Sequence, residues 1–395
     1  MRSIKLFLVV AAAVLITFGL SGTALAFHAG GVATCDGCHT MHNSVDLEST
    51  TLGGHLTKGA TYTDVCLNCH AGQATSYYHV LSTDGSIYNP GGDFYWLSQT
   101  WNLPRGETSR GEDHGHNVVG TDLPADSTLT TAPGGTYPAT LLTCVSCHDP
   151  HGKKVNKTLP VVASGSYGLG EVPPDVDLGV NGVLGNFRLL ADQGYDAGGN
   201  VVYGNTVPVA VSTRFQQGSA TRPRGEDNTN HTDYGQNMSE WCQNCHNTFT
   251  TADSVHPVHP VGNNAGALSG LEGNYNTYVK TGDMTATFPD GGPFYSLVPF
   301  ERHTNQLDLL SSDNVTGATS TSNVMCLTCH RAHASAFQKA TRWDAAVEFL
   351  ADSHPNGLDD GSTQDQKTNS YYGRNMVDEY GEYQRSLCNK CHAKD

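Results

Sequence analysis

All twelve cysteines of the 395-residue chain lie in six copies of one pattern, Cys-x-x-Cys-His. The copies are CDGCH (Cys35–His39), CLNCH (Cys66–His70), CVSCH (Cys144–His148), CQNCH (Cys242–His246), CLTCH (Cys326–His330) and CNKCH (Cys388–His392). Because the pattern uses every cysteine, none remains for a disulfide framework, a separate zinc site or a catalytic thiol. This repetition excludes a disulfide-stapled scaffold and a thiol enzyme.

In this pattern two thiols form thioethers with one haem, and the adjacent histidine binds its iron. Thioredoxin-like redox pairs would instead need alternating strand and helix patterns, which the sequence lacks. We therefore predict six c-type haems, attached through Cys35, Cys38, Cys66, Cys69, Cys144, Cys147, Cys242, Cys245, Cys326, Cys329, Cys388 and Cys391. The predicted proximal iron ligands are His39, His70, His148, His246, His330 and His392.

Each iron needs a sixth ligand or keeps an open position. Thirteen of the 19 histidines lie outside the six proximal positions, whereas none of the six methionines recurs beside the motifs as a ligand would. We therefore predict bis-histidine ligation at all six haems. An iron held by two imidazoles has no place for a substrate, so the sequence favours an electron carrier over an enzyme. A multihaem reductase of nitrite, hydroxylamine or sulfite would require an open iron.

Three motifs continue to a further histidine three residues on, at His42, His151 and His333. If these segments are helical, residues three apart lie on one face. The second histidine cannot reach the iron that the first one binds, so it must serve a different haem and bring two porphyrins close together. Surface or propionate-bonding histidines are the alternative interpretation.

Four more histidines have neighbours suited to close approach of a macrocycle: His28, His79, His116 and His259. Together with the preceding three they make seven distal candidates for six places. The others are expected to be exposed or bonded to haem propionates, with His114 as the alternative to His116; they are His55, His114, His231, His256, His303 and His354.

Residues 1–26 read as a secretory signal peptide, with Arg2 and Lys5 before an apolar run and a small-residue cleavage site, Ala24–Ala26. Without these two cations the chain has 20 basic against 38 acidic residues, a net charge of −18. Such a charge disfavours nucleic acid and anionic lipid as partners. We therefore expect secretion through the periplasm to the outer cell surface, with no membrane anchor.

The mature chain, residues 27–395, is predicted to form a single hexahaem cytochrome domain. Turn-forming Gly and Pro, 44 and 17 in number, dominate between the motifs. Helical periodicity is sustained only over Thr341–His354 and Met376–His392. The fold class expected is a multihaem cytochrome c, mostly coil with short helices and few strands, wrapped around a continuous haem stack that supplies its apolar core.

Two short segments recur in the sequence. GGDFYWL (Gly91–Leu97) is similar to GGPFYSL (Gly291–Leu297), and PRGE occurs at Pro104–Glu107 and at Pro223–Glu226. Duplicated pieces that cover haem faces and chance similarity in a Gly-rich chain both remain open.

Longer strings resemble a known family. They are FHAGGVATCDGCHTMHNS (Phe27–Ser44), TLTTAPGGTYPA (Thr128–Ala139), CHDPHGK (Cys147–Lys153), YGQNMSEWC (Tyr234–Cys242), CHRAHAS (Cys329–Ser335) and the terminal LCNKCHAKD. Together they are similar to the hexahaem outer-surface c-type cytochromes of metal-reducing bacteria, with the same number and order of haem motifs.

This resemblance implies an extracellular nanowire subunit that polymerises end to end into conductive filaments. It implies haems stacked in alternating parallel and T-shaped pairs, and His42 as a ligand to a haem of the next subunit. The expected partners are other copies of the chain, upstream outer-membrane or periplasmic cytochromes, and external acceptors such as metal oxides. A monomeric multihaem shuttle or conduit component is the alternative.

Overall fold

A computed structural model of the chain describes residues 35–40, 57–72, 79–103, 106–150, 187–211, 225–249, 260–264, 266–278, 288, 290–356, 360–385 and 387–392. The α-helices of this part are short: α1 (Cys35–Cys38), α2 (Tyr62–His70), α3 (Cys144–Cys147), α4 (Met238–Cys242), α5 (Glu272–Thr277), α6 (Cys326–Cys329), α7 (Gln364–Ser370) and α8 (Met376–Tyr380). Its strands are β1 (Trp101–Asn102), β2 (Thr108–Ser109), β3 (Val209–Val211) and β4 (Asp233–Gln236). They form two antiparallel pairs, β1–β2 and β3–β4.

Much of the remaining described chain is turns and single 3₁₀ turns, as the abundance of Gly and Pro predicts. The 3₁₀ turns are Phe94–Ser98, Gly111–His114, Ala139–Leu141, Phe187–Leu189, Leu307–Leu309, Gln338–Ala340, Leu350–Asp352 and Leu387–Lys390. Over the described ranges, no helix is both long enough and apolar enough to cross a bilayer. The predicted fold class, mostly coil with short helices and few strands, is confirmed.

The prediction of longer helices over Thr341–His354 and Met376–His392, made from periodicity, is wrong. Between Thr341 and His354 only Leu350–Asp352 is helical, as one 3₁₀ turn. The Asp344 carboxylate accepts hydrogen bonds from the main-chain N–H of Ala346 and from His354 Nδ1, and these local bonds compete with a helix ladder. In the second segment, α8 ends at Tyr380. It is followed by Gly381, whose φ of 91° suits glycine.

The protein builds an apolar core of its own, beyond anything a porphyrin supplies. A large cluster is rich in aromatic side chains, among them Phe94, Trp96, Trp101, Tyr275, Phe294, Phe300, Phe337 and Trp343. A smaller cluster joins Phe187, Leu190, Ala210, Tyr234, Met238, Met325 and Leu327. Motif cysteines pack at the edges of both, Cys329 and Cys391 on the first and Cys242 on the second. Burial of large aromatic rings compensates for the lack of long regular elements.

A buried ion cluster ties the segment around the fifth motif to a distant loop. Glu226 Oε2 lies 2.8 Å from Arg331 Nη1 and 3.0 Å from Arg342 Nη1, and all three side chains are at most 1 % exposed. Arg342 also donates to the carbonyl oxygens of Leu327 and Ser296. Although burial opposes ionisation, the guanidinium groups of Arg342 and Arg331 hold the pKa of Glu226 down to about 2.

Replacing Glu226 by Ala would leave two buried guanidinium groups without their carboxylate. We expect the free energy of unfolding at neutral pH to fall by about 3–5 kcal/mol, measured by denaturant titration of the haem-loaded protein. The matched control is Glu107→Ala in the other PRGE copy, whose side chain is exposed. That substitution should change stability by no more than about 0.5 kcal/mol.

The difference between wild type and Glu226→Ala should depend on pH. Folding lowers the pKa of Glu226 from 4.5 to about 2, so its ionised form stabilises the folded protein at pH values above 4.5. This stabilisation is lost as the pH falls from 4.5 to about 2. The stability gap should therefore narrow in acid. Equal losses from the two substitutions, or a gap that is constant with pH, would contradict this account of the cluster.

Candidate haem sites

Apart from the second, each motif is organised around one turn that starts at its first cysteine. In the third to sixth motifs the main-chain N–H of the histidine donates to the carbonyl of the first cysteine, at 2.9 to 3.0 Å. The second motif closes the longer helix α2, which begins with a capping box between Thr61 and Asp64. None of the eleven cysteines with described side chains forms a disulfide. The thiols therefore stay available for thioether bonds, at a fixed spacing from the imidazole.

The motifs come together in two pairs. Helices α2 and α3 pack against each other, and the Cys66 thiol is in hydrogen-bond contact with that of Cys144. Helices α4 and α6 pack in the same way, with the thiols of Cys242 and Cys326 in contact. Motifs far apart in sequence thus place their attachment sulfurs side by side.

The histidines of the third and fifth motifs are held by two matching turns. His148 Nδ1 lies 2.9 Å from the carbonyl oxygen of Arg188, and His330 Nδ1 lies 2.7 Å from that of Lys339. Both histidines leave the helical turn in an extended conformation and form antiparallel bridges, to Leu190 and to Thr341. The same local structure is therefore built twice from unlike sequences, FRLL and QKAT.

Sequence reasoning missed these two turns. Each has two successive left-handed residues, Arg188 (φ 50°) with Leu189 (φ 57°) and Lys339 (φ 60°) with Ala340 (φ 53°). Such turns favour Gly or Asn, and other residues there cost about 1–3 kcal/mol each. The strings carry none of the usual turn residues, so no signal in the sequence could have revealed them. The strain is held in place by the hydrogen bonds to the motif.

The His333 ring faces the His148 ring across a gap. The two ring centres are 6.3 Å apart, with 57° between the ring planes. Phe94, from the Gly-Gly-x-Phe-Tyr segment, stacks on the His333 ring with the ring centres 4.7 Å apart. His333 follows His330 by three residues, but the chain between them is irregular, with a bend at Ala332 and His333, rather than helical. The helical premise of the sequence argument is therefore wrong here.

A second pair of rings is formed by His116 and His246, whose centres are 6.0 Å apart. His116 Nδ1 lies 2.6 Å from the carbonyl oxygen of Ala332, and His246 Nδ1 lies 2.7 Å from that of Pro133. Each Nδ1 therefore carries the proton and donates it, which leaves Nε2 with its lone pair. Histidines that bind a metal typically donate their other ring N–H to a carbonyl oxygen in this way.

The separation of the rings fits an iron between them. A metal–imidazole bond of about 2 Å on each side, plus about 1 Å from each nitrogen to its ring centre, puts trans imidazole centres about 6 Å apart. Burial lowers the pKa of His148 and of His246 to about 4, and that of His333 to about 3. These rings are therefore neutral at physiological pH, as an iron ligand must be.

His114, the sequence's alternative to His116, uses both ring nitrogens within the protein. Its Nδ1 lies 3.0 Å from the carbonyl oxygen of Trp96, and its Nε2 lies 2.8 Å from Ser109 Oγ. His354 is also engaged at both nitrogens, by Asp344 and by Ser109. Neither ring has a free nitrogen to offer a metal.

The spare histidines were expected to be exposed or bonded to haem propionates, and exposure is ruled out for three of them. His114, His231 and His354 are buried, and only His303 among the described ones is exposed. His231 stacks on Phe294 at 3.7 Å, so both Gly-Gly-x-Phe-Tyr segments place their Phe on a histidine ring. The aromatic residue of the recurring segment covers an imidazole rather than an exposed surface.

The remaining predicted residues divide into two groups. The His79 ring lies against Gly72, where an added Cβ would be 2.6 Å from His79 Cε1, two residues beyond the proximal position His70. His39 forms an antiparallel bridge to Thr57, and His392 ends the turn at Leu387–Lys390. Four distal candidates lie outside the described residues: His28, His42, His151 and His259. The side chain of Cys35 also lies outside them.

The protein's similarity to known proteins extends over its whole length. No protein-family model matches the chain. It is 41 % identical over 447 aligned positions to the c-type cytochrome OmcS of Geobacter sulfurreducens, with 100 % of both sequences covered.

Two solved structures also match. They are the cryo-EM structure of the OmcS nanowires from Geobacter sulfurreducens, with a TM-score of 0.77, and an outer membrane cytochrome S filament from the same organism, with a TM-score of 0.78. Each is 39 % identical and covers 93 % of this chain and 100 % of the solved chain. With six Cys-x-x-Cys-His motifs, free thiols and opposed imidazoles, and with this similarity over its whole length, the chain belongs to the family of the c-type cytochrome OmcS and binds haem covalently.

Proposed function

We propose that this protein is an electron-carrying subunit that assembles end to end into extracellular filaments, with six covalent haems in each subunit. The observation that carries the proposal is the pair of opposed imidazoles, His148 with His333 and His116 with His246, in a chain similar throughout to a filament-forming cytochrome. An iron between the two imidazoles of either pair would have both axial positions filled, which leaves no position for a substrate. This favours electron transfer over a reductase.

We assign the distal ligands as follows. His333 serves the haem of the third motif and His116 serves that of the fourth. His28, His42, His79, His151 and His259 are the candidates for the other four haems. The six motif histidines are the proximal ligands, and the twelve motif cysteines carry the thioether bonds. His114 is not a candidate ligand, because both of its ring nitrogens form hydrogen bonds within the protein.

Bound haem iron supplies reversible one-electron chemistry, and the protein's residues supply its position. Nδ1–H groups donate to fixed carbonyl oxygens, which hold the rings still and increase the basicity of Nε2. Two imidazoles at each iron keep the potential low relative to Met/His ligation. The four rings of the two opposed pairs are half-buried, and Phe94 stacks on that of His333.

The segment His330–His333 connects three haem sites. His330 belongs to the fifth motif, Ala332 holds His116 opposite His246 of the fourth, and His333 faces His148 of the third. The contact between α2 and α3 extends this chain of neighbours to the second motif. Electrons can therefore pass between adjacent sites without a mobile carrier.

Three further features belong to the same proposal. Residues 1–26 direct secretion and are removed, and residues 27–395 fold as one domain. His42 binds a haem of the next subunit, which ties assembly to haem loading.

Upstream cytochromes deliver the electrons and external acceptors such as metal oxides receive them. The alternative, a monomeric shuttle, keeps the same haem attachment and proximal ligands and lacks the subunit contact through His42.

The ligand assignment is tested by two substitutions placed two residues apart. His116→Ala should convert about one-sixth of the haem to a high-spin form, because one iron of six loses a strong-field ligand. His114→Ala should leave the spectrum low-spin and only lower stability, since it removes two buried hydrogen bonds. Optical and electron paramagnetic resonance spectra of the oxidised proteins measure this. High-spin haem in the His114 variant with none in the His116 variant would reverse the assignment.

The assembly step is tested with His42→Ala. We expect subunits that carry their covalent haems and do not join into filaments, as seen by electron microscopy and by haem content per mass of protein. The control is His303→Ala, which removes an exposed histidine and should leave filaments unchanged. Filaments of normal length from the His42 variant would refute an inter-subunit bond, and a wild type that stays monomeric at high concentration would refute filament formation.

A further inference from the structure

Glu301 is a buried carboxyl group that lies outside the Glu226 ion cluster. Its side chain has no exposed surface. Oε1 accepts a hydrogen bond from the main-chain N–H of Met238 at 2.7 Å, whereas Oε2 has no hydrogen-bond partner. A buried carboxylate oxygen without a donor is costly when ionised.

This carboxyl lies where the fourth and fifth motifs meet. Met238 begins α4, which reaches Cys242 one helical turn later, about 6 Å along the axis. The main chain of Glu301 pairs with Asn323 through N–H···O bonds of 2.9 and 2.8 Å, three residues before Cys326. Cys326 N in turn donates to Ser239 Oγ at 3.1 Å. Glu301 is therefore attached directly to both segments that carry the touching sulfurs.

The charged groups around Glu301 do not neutralise it. Arg302, the next residue, turns to Asp233 at 2.5 Å. Glu240 on α4 is a second acid and accepts from the main-chain N–H of Asn263. His303 Nδ1 lies 2.7 Å from the side-chain amide of Asn323.

Burial is the main cause that raises the pKa of Glu301, to about 8, and the neighbouring Glu240 acts in the same direction. The carboxyl is thus largely protonated at neutral pH, within reach of ionisation.

We propose that Glu301 is a proton-binding site coupled to electron occupancy of the fourth and fifth haem sites. Where Glu301 is ionised before reduction, its Oε2 gains one proton from bulk water when an iron there gains one electron from the upstream donor. When the electron moves on, the proton returns to water. The only covalent bond that forms or breaks is the O–H bond.

Electrostatics supplies the coupling. One added negative charge near a carboxylate disfavours its ionised form, so reduction tightens proton binding, by about tenfold for charges on the order of 10 Å apart. By reciprocity, ionisation of Glu301 makes reduction harder. This inference rests on the proposed electron-carrier function, but it does not require filaments.

The test is a spectroelectrochemical titration of dispersed haem-loaded subunits from about pH 5 to about pH 9, a range that brackets the pKa of Glu301. In wild type, the midpoint potential of a subset of the haems should fall as pH rises. Glu301→Gln keeps an acceptor for Met238 N and cannot ionise, so this fall should disappear. Glu382→Gln removes an equal charge from an exposed position and should keep it. An unchanged pH dependence in the Glu301 variant would overturn the proposal.

A second variant covers the case in which Glu301→Gln does not fold. Glu301→Asp keeps a titratable group and should retain a pH-dependent potential. Infrared difference spectra of wild type on reduction at about pH 9, where Glu301 is largely ionised before reduction, should also gain a protonated-carboxyl band, and its absence would equally overturn the proposal. Loss of filaments in wild type would refute the assembly proposal alone, whereas a pH-independent potential with filaments intact would refute the proton site alone.

Discussion

The arrangement of the described haem sites depends on one kind of interaction, a main-chain carbonyl that accepts the Nδ1 proton of a histidine. Four rings are held this way, by the carbonyl oxygens of Arg188, Lys339, Pro133 and Ala332. The bond fixes the tautomer as well as the orientation of the ring, so Nε2 keeps the lone pair that a metal needs. A main-chain acceptor is suited to this role, because its position follows from the path of the chain and not from a mobile side chain.

The rest of the fold positions those carbonyl groups. Two strained left-handed turns, the Pro133 loop and the segment around Ala332 carry them, and aromatic clusters fix these pieces relative to one another. Close main-chain approach is needed as well: a Cβ on Gly115 would lie 2.2 Å from the carbonyl oxygen of His333. The Glu226 ion cluster holds Arg331, between His330 and His333, in the same framework. Regular secondary structure is scarce because irregular chain can place carbonyls where regular elements would use them internally.

The chemistry of the motifs and the class of fold could both be predicted from the sequence. Invariant spacing within Cys-x-x-Cys-His predicted short helical turns, and composition predicted coil between them. The prediction failed where contacts between distant residues decide the outcome. Periodicity over Thr341–His354 predicted a helix, but the Asp344 side chain bonds locally instead. His114 and His116 look alike in the string HGHN, and only Trp96 and Ser109 distinguish them. The left-handed turns contain neither Gly nor Asn, so their conformation is set by the motif they contact.

The most direct test of the account is a density map of the haem-loaded protein in which each iron and its two axial ligands are resolved. The account predicts one iron between His148 and His333, another between His116 and His246, and the haems of the second to fifth motifs in contact along a continuous line. An iron with only one of these histidines, or a gap between neighbouring haems filled by protein, would contradict it.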